Sequence, residues 1–179
     1  MKRTIQVLTL LISASTALLQ AQSPRELRLE FAGSNVSTTL DLVGDGTSTA
    51  QDSYATGRGF MQFTLRTVDQ IAATPLGLNM ARCPGTYDFP YLTGVAVLTF
   101  QDGSQVTGNL TEGGYACYDF ATHKGTYVQQ FTIITGSGRF AGVSGGVVLK
   151  GGFSALPARV KGSAIAFVFD GVATLTLSR

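Results

Sequence analysis

The chain has 179 residues, with 13 Lys+Arg against 11 Asp+Glu, 22 glycines and two cysteines. Two of the cations, Lys2 and Arg3, precede an uncharged run over 5–19 that is too short to span a bilayer, and Gln20-Ala21-Gln22 follows it; this is the layout of a secretory signal peptide cleaved after Ala21. Residues 22–179 then carry as many acids as bases, so nucleic-acid binding has no electrostatic support, and no later stretch reaches the ~20 apolar residues of a membrane span.

Residues 1–21 are therefore expected as signal peptide and 22–179 as one domain, exported to the medium or the periplasm. In chain order, 25–32 alternates, with Leu27, Leu29 and Phe31 on one face and Arg28 and Glu30 on the other. Residues 36–43 read as a second strand, closed by a turn at Gly44-Asp45-Gly46. Residues 60–68 alternate again, with Met61, Phe63 and Leu65 opposite Gln62, Thr64 and Arg66.

The stretch 69–93 is the longest irregular region: Pro75 with Gly77 breaks its helix-like start, and Pro84 and Pro90 follow. A loop of this length is either a functional rim or a plain surface excursion. Cys83 within it and Cys117 beyond it form an even pair in an exported chain. The simplest reading is one disulfide closing a loop of about 35 residues, adding roughly 3–4 kcal/mol by chain entropy; a reactive thiol is the alternative.

Residues 94–100 and 104–110 predict a hairpin around Asp102-Gly103. Residues 126–135 form a long β-branched strand, followed by 147–153 and 160–169. Asp170-Gly171 is a turn or a bulge before 172–177. About nine strand candidates with short links predict an all-β sandwich or barrel. Several strands are apolar on both faces, which predicts an oligomer covering the second face.

The segment 134–146, ITGSGRFAGVSGG, follows the long strand. Its Gly136, Gly138, Arg139, Phe140, Gly142 and Gly145 are similar to the glycine-rich corner of the allene oxide cyclase-like barrels, a superfamily that includes the dirigent proteins. The resemblance covers about a dozen residues. It implies an eight-stranded antiparallel barrel with an apolar lumen, commonly trimeric. It also implies activity by confinement of a small hydrophobic molecule, as a cyclase or isomerase would act, and no catalytic residue carries over. On physical grounds alone the segment is a structural corner, with Gly136 and Gly138 expected at positive φ and Phe140 tucked beneath. Its spacing does not match a G-x-G-x-x-G fingerprint, and no βαβ unit surrounds it.

The chemistry of sites is sparse. His123 is the single histidine, read as a solvated turn residue, so a catalytic triad, a zinc or iron site and a hydrolase all lack residues. Asp41, Asp45 and Asp52 are too dispersed for a calcium loop. No cofactor or metal is expected. The lumen candidates are Arg66 and Gln62 on one strand face, Glu30 on the first strand, and Tyr127 and Gln129 on the long strand, each of which could orient a polar ligand atom unless its face is solvated. The function expected is a hydrophobic-ligand-binding barrel. The alternative is a non-enzymatic structural or cell-surface interaction protein.

Overall fold

A computed structural model describes residues 25–38, 48–79, 81–156 and 165–178. Nine strands run β1 (Arg25–Thr38), β2 (Ser48–Arg58), β3 (Phe63–Ala72), β4 (Tyr87–Phe100), β5 (Gln105–Leu110), β6 (Tyr115–Asp119), β7 (Lys124–Gly136), β8 (Ser144–Ala155) and β9 (Ile165–Ser178). All pair antiparallel with their neighbours in a single sheet. β3 pairs with β4, and β1 pairs along its length with β9 from Arg25↔Leu177 to Ser37↔Ile165, so the sheet closes on itself. β5 and β6 share one place between β4 and β7: β5 lies beside Val95–Thr99 and β6 beside Tyr87–Pro90. The result is a closed eight-stranded antiparallel barrel. Closure pairs every strand on both sides and leaves no sheet edge.

Alternation decides the interior. On β1, Leu29 and Phe31 are buried while Arg28 and Glu30 are exposed. On β7, Tyr127, Gln129, Phe131 and Ile133 all point inward, as the two-residue repeat of a strand requires. Half of the barrel is solid. Leu29, Leu98, Val106, Val147 and Leu175 fill it, and Leu65 and Leu149 border the cavity beyond. An aromatic cluster caps that end, with Phe100 and Phe140 centroids 4.8 Å apart and Phe63 and Phe60 beside them.

Phe140 reaches this cap from a 3-10 turn, Gly138–Phe140. Gly138, Gly142 and Gly145 have positive φ; Gly136 does not. Gly136 is needed for another reason: a Cβ there would sit 2.2 Å from the Phe140 carbonyl oxygen. Arg139 ion-pairs with Asp102 of the β4–β5 turn.

Several sequence expectations shift. The first strand continues to Thr38 and includes Val36; the expected strand and turn over 39–46 lie outside the described residues. β2 and β6 were unforeseen. Their Gly, Ser, Thr, Ala and Tyr residues alternate in position but not in hydrophobicity. β3 runs on to Ala72 and β4 begins at Tyr87, which shortens the irregular region to 73–86. Asp170-Gly171 is no turn: both residues lie inside β9, where Gly171 pairs with Gly151. A Cβ at Gly151 would lie 2.6 Å from the Gly171 Cα, so the glycine pair permits a backbone approach that side chains would prevent.

Cys83 and Cys117 form the expected disulfide, with Cα atoms 5.3 Å apart. It fastens the 73–86 loop to the outer face of β6. The loop is further held by the Arg82 guanidinium on Asp88, Nη2 to Oδ1 at 2.7 Å, and by Asn79 Nδ2 donating to Asp88 Oδ2 at 3.0 Å. Asp88 is wholly buried. The signal peptide expected over 1–21 lies outside the described residues.

Candidate functional site: the open end of the barrel

The end opposite the aromatic cap is hollow. There the 73–86 loop, the 120–123 turn and the facing ends of β1, β2, β8 and β9 surround a cavity of about 650 Å³, within the range of small-molecule sites. Two groups of side chains stand out in its lining, among further aliphatic and aromatic residues. Phe31, Tyr118, Tyr127, Phe153, Phe167 and Phe169 make an aromatic wall on β1 and β6 to β9. Tyr118 stacks on Phe153 with centroids 5.9 Å apart, and Tyr127 meets Phe169 edge-on at 6.2 Å. Facing it, Asn35 and Ser37 of β1, Thr49, Gln51 and Ser53 of β2, Thr67 of β3 and Gln129 of β7 provide hydroxyls and amides. No Arg or Lys lines the cavity among the described residues.

The polar wall ends in a buried carboxyl. Asp69, 1% exposed, lies directly behind Thr67 and Gln129. Its Oδ2 accepts from Gln129 Nε2 at 3.0 Å and from Thr67 Oγ1 at 3.2 Å, while its Oδ1 has no hydrogen-bond partner. The carboxyl has room because residue 94 on the paired strand is glycine: a Cβ there would stand 2.7 Å from the Asp69 Cβ. Burial raises the Asp69 pKa from 3.8 to about 7 against the lowering effect of its two hydrogen bonds, and the charge of Asp52 adds to the rise. Tyr91 and Tyr127 are pushed up too, chiefly by desolvation and then by nearby Asp69 and Asp170 respectively. Both stay neutral phenols at physiological pH. The Tyr127 hydroxyl donates to the Asp170 carbonyl oxygen at 3.3 Å.

At the mouth, the Tyr118 hydroxyl and His123 Nδ1 are 3.1 Å apart. His123 is exposed, as a turn residue should be, but it also borders the cavity, and it is the one described non-glycine residue at positive φ, 56°. Its carbonyl accepts from Ala155 N–H at 2.9 Å, which anchors the turn.

Among the five lumen candidates, Tyr127 and Gln129 line the cavity. Arg66, Gln62 and Glu30 are exposed and do not. Arg66 instead forms an outer-wall ion pair with Asp52, 3.1 Å across the β2–β3 pair. The pleat explains this: Phe63, Leu65 and Thr67 fill the inward positions of β3, so Arg66 between them must face out. Gln62 belongs to the β2–β3 connection, and Glu30 alternates with buried Leu29 and Phe31. Asp69 and the polar residues of β2 were missed. Asp69 falls at the same parity as Phe63, Leu65 and Thr67, and that parity was the available signal.

No family model matches the chain, and no curated protein does either. Among solved structures, it is similar to a pterocarpan synthase dirigent protein at 11% identity, with 87% of this chain and 88% of that chain covered and a TM-score of 0.33. The barrel itself rests on the strand pairing described above. The disulfide, and the absence of a long apolar helix among the described residues, are compatible with an extracellular protein.

Proposed function

We propose that the protein is exported and binds a small, largely apolar molecule in the open end of its barrel. The observation that carries this reading is the cavity itself: about 650 Å³ between an aromatic wall and a wall of uncharged polar groups. An aromatic wall removes an apolar ligand from water, and a few fixed hydroxyls and amides set its orientation. Chemistry by confinement, of the cyclase or isomerase kind implied by the barrel superfamily that the 134–146 segment resembles, would use the same cavity. In that reading Asp69, behind Thr67 and Gln129, is a group able to hold or give up a proton at neutral pH.

The test is binding of a neutral hydrophobic dye, N-phenyl-1-naphthylamine, to the mature protein. Saturable fluorescence enhancement is expected. It should be lost in Thr49→Trp, which adds bulk at the mouth end of β2, while circular dichroism is unchanged. Equal enhancement in both proteins would remove the cavity reading.

A second reading, a structural or self-assembling protein, is favoured by one observation. Val36, Tyr54, Val68, Val95 and Val168 are exposed on neighbouring strands of the outer wall. A homo-oligomer, trimeric in the superfamily, would cover them. Sedimentation of the wild type against Tyr54→Glu with Val68→Lys tests it, a monomeric wild type deciding against this reading.

A further inference from the structure

The unmet polar chemistry around the cavity has one sign. Among the described residues, two buried side-chain atoms, Asn35 Oδ1 and Asp69 Oδ1, have no hydrogen-bond partner, and both are acceptors. Asp69 has two neutral donors on its other oxygen and no cation beside it; the nearest guanidinium on its own strand, Arg66, is held by Asp52 outside the barrel. Tyr127, Phe31, Phe153 and Phe169 border the same cavity, and an aromatic face carries the negative side of its ring quadrupole.

Unpaired buried acceptors are uncommon and call for an explanation. A wholly apolar ligand would leave them unpaired, and an anionic one would meet a carboxyl with, among the described residues, no Arg or Lys lining the cavity to receive it. A hydrogen-bond donor meets the first difficulty, and a positive charge meets the buried carboxyl best. Resting on the cavity reading above, we infer that the ligand is an organic cation: an aryl- or alkyl-substituted ammonium whose charge lies against the Thr67–Asp69–Gln129 floor and whose body packs on the aromatic wall. A cation over aromatic faces in a desolvated site is attracted by the rings as well as by the carboxylate. Gln129 transmits the charge. Its Nε2 donates to Asp69, which makes its own carbonyl oxygen a stronger acceptor toward the cavity it lines.

Such binding is coupled to protonation. The groups that act on Asp69 are Asp52 from β2, whose charge raises its pKa, and the phenols of Tyr91 from β4 and Tyr127 from β7, both neutral in this range. With Asp69 titrating near 7, cation binding releases a proton below that pH, and affinity strengthens as the pH rises toward it, by up to about tenfold per unit.

Three probes of similar shape make the test: N,N-dimethylbenzylammonium, uncharged isobutylbenzene and phenylmethanesulfonate, each competing with N-phenyl-1-naphthylamine at pH 8 on wild type and Asp69→Asn. The ammonium, which carries both the charge and an N–H donor, should displace the dye at least tenfold more tightly than isobutylbenzene, although the hydrocarbon has the larger hydrophobic drive, and the sulfonate should be weakest. Asp69→Asn should lose the ammonium's advantage over the hydrocarbon, each measured against the dye affinity of the variant itself. Equal or weaker competition by the ammonium, or an advantage that survives Asp69→Asn, overturns the inference and leaves the cavity reading standing. Should the variant not fold, the wild type decides: an ammonium affinity unchanged from pH 5 to 8, with no proton released, overturns it. A protein that takes neither dye nor, by calorimetry, the ammonium overturns both readings.

Discussion

Asp69 sets a pH signature that its neighbours do not share. Its carboxyl is held near 7 when folded and near 3.8 when unfolded, so the folded state binds the extra proton between those values. The stabilisation is complete below about pH 4, declines as pH rises, and is gone above 7. The shift corresponds to about 4 kcal/mol. Asp69→Asn, which mimics the protonated form and can still accept from Gln129 and Thr67, is expected to flatten this window and to be more stable than wild type at pH 8. Urea midpoints of the two proteins at pH 5 and pH 8 check it. Asp119 runs the other way: its pKa is lowered, first by the Thr122 hydroxyl and then by the Ala121 N–H. Its contribution is lost only as pH falls below about 4, and it is common to both proteins.

At the scale of elements, the 73–86 loop is a strap fastened at two kinds of joint. The Arg82–Asp88 pair buries its carboxylate completely. Arg82→Met removes the partner of a buried charge and is expected to lose about 2–3 kcal/mol, less than a fully buried pair because Arg82 is partly exposed. Reducing Cys83–Cys117 should lower stability by roughly 3–4 kcal/mol while the barrel's far-ultraviolet dichroism persists, because the disulfide joins the strap to β6 and closes no strand pair. Chemical denaturation of Arg82→Met, and of the wild type with and without reductant, separates the two. A reduced protein with an unchanged midpoint would show that the strap is held by Asp88 alone. In the paired strands, Gly171→Val drives side-chain atoms toward the Tyr127 hydroxyl and the Lys150 carbonyl, both 2.6 Å from a Cβ built there. It is expected to destabilise by more than 2 kcal/mol in the same assay.

The whole molecule is solid at one end and hollow at the other. Amides of Leu98, Val106 and Leu175, within the packed half, should exchange with solvent close to the global unfolding rate. Those of Thr49, Ala116 and Ala155 around the cavity should exchange faster. A bound ligand should slow the second group and leave the first unchanged. Hydrogen exchange followed by mass spectrometry reads both, and uniform protection would mean that the cavity end is no looser than the core.

How much of this was legible in the chain depended on where alternation was strong. β1 was plain because apolar and polar residues trade places every second position, β7 because its run is long and β-branched, and β5 because Asp102-Gly103 marked the turn before it. β2, with Thr49, Gln51, Ser53 and Ala55 facing inward, gave no such contrast, because a wall that faces a cavity can be polar without being solvated. Local pattern thus determined the β class, the disulfide partners and which residues share a face of each alternating strand, since these depend on residues near one another or on a single pair of cysteines; it left open which face turns inward, and Glu30 and Arg66 turn out. Only the tertiary structure decided closure, the merging of β5 and β6 into one barrel place, and which inward positions fill the core and which border a hollow. Those depend on which strands meet across the barrel. Asp69 is the clearest case: the chain shows an acid at an inward parity, and only the fold surrounds it with Gln129 from β7, Thr67 and Gly94, leaving one oxygen unpaired.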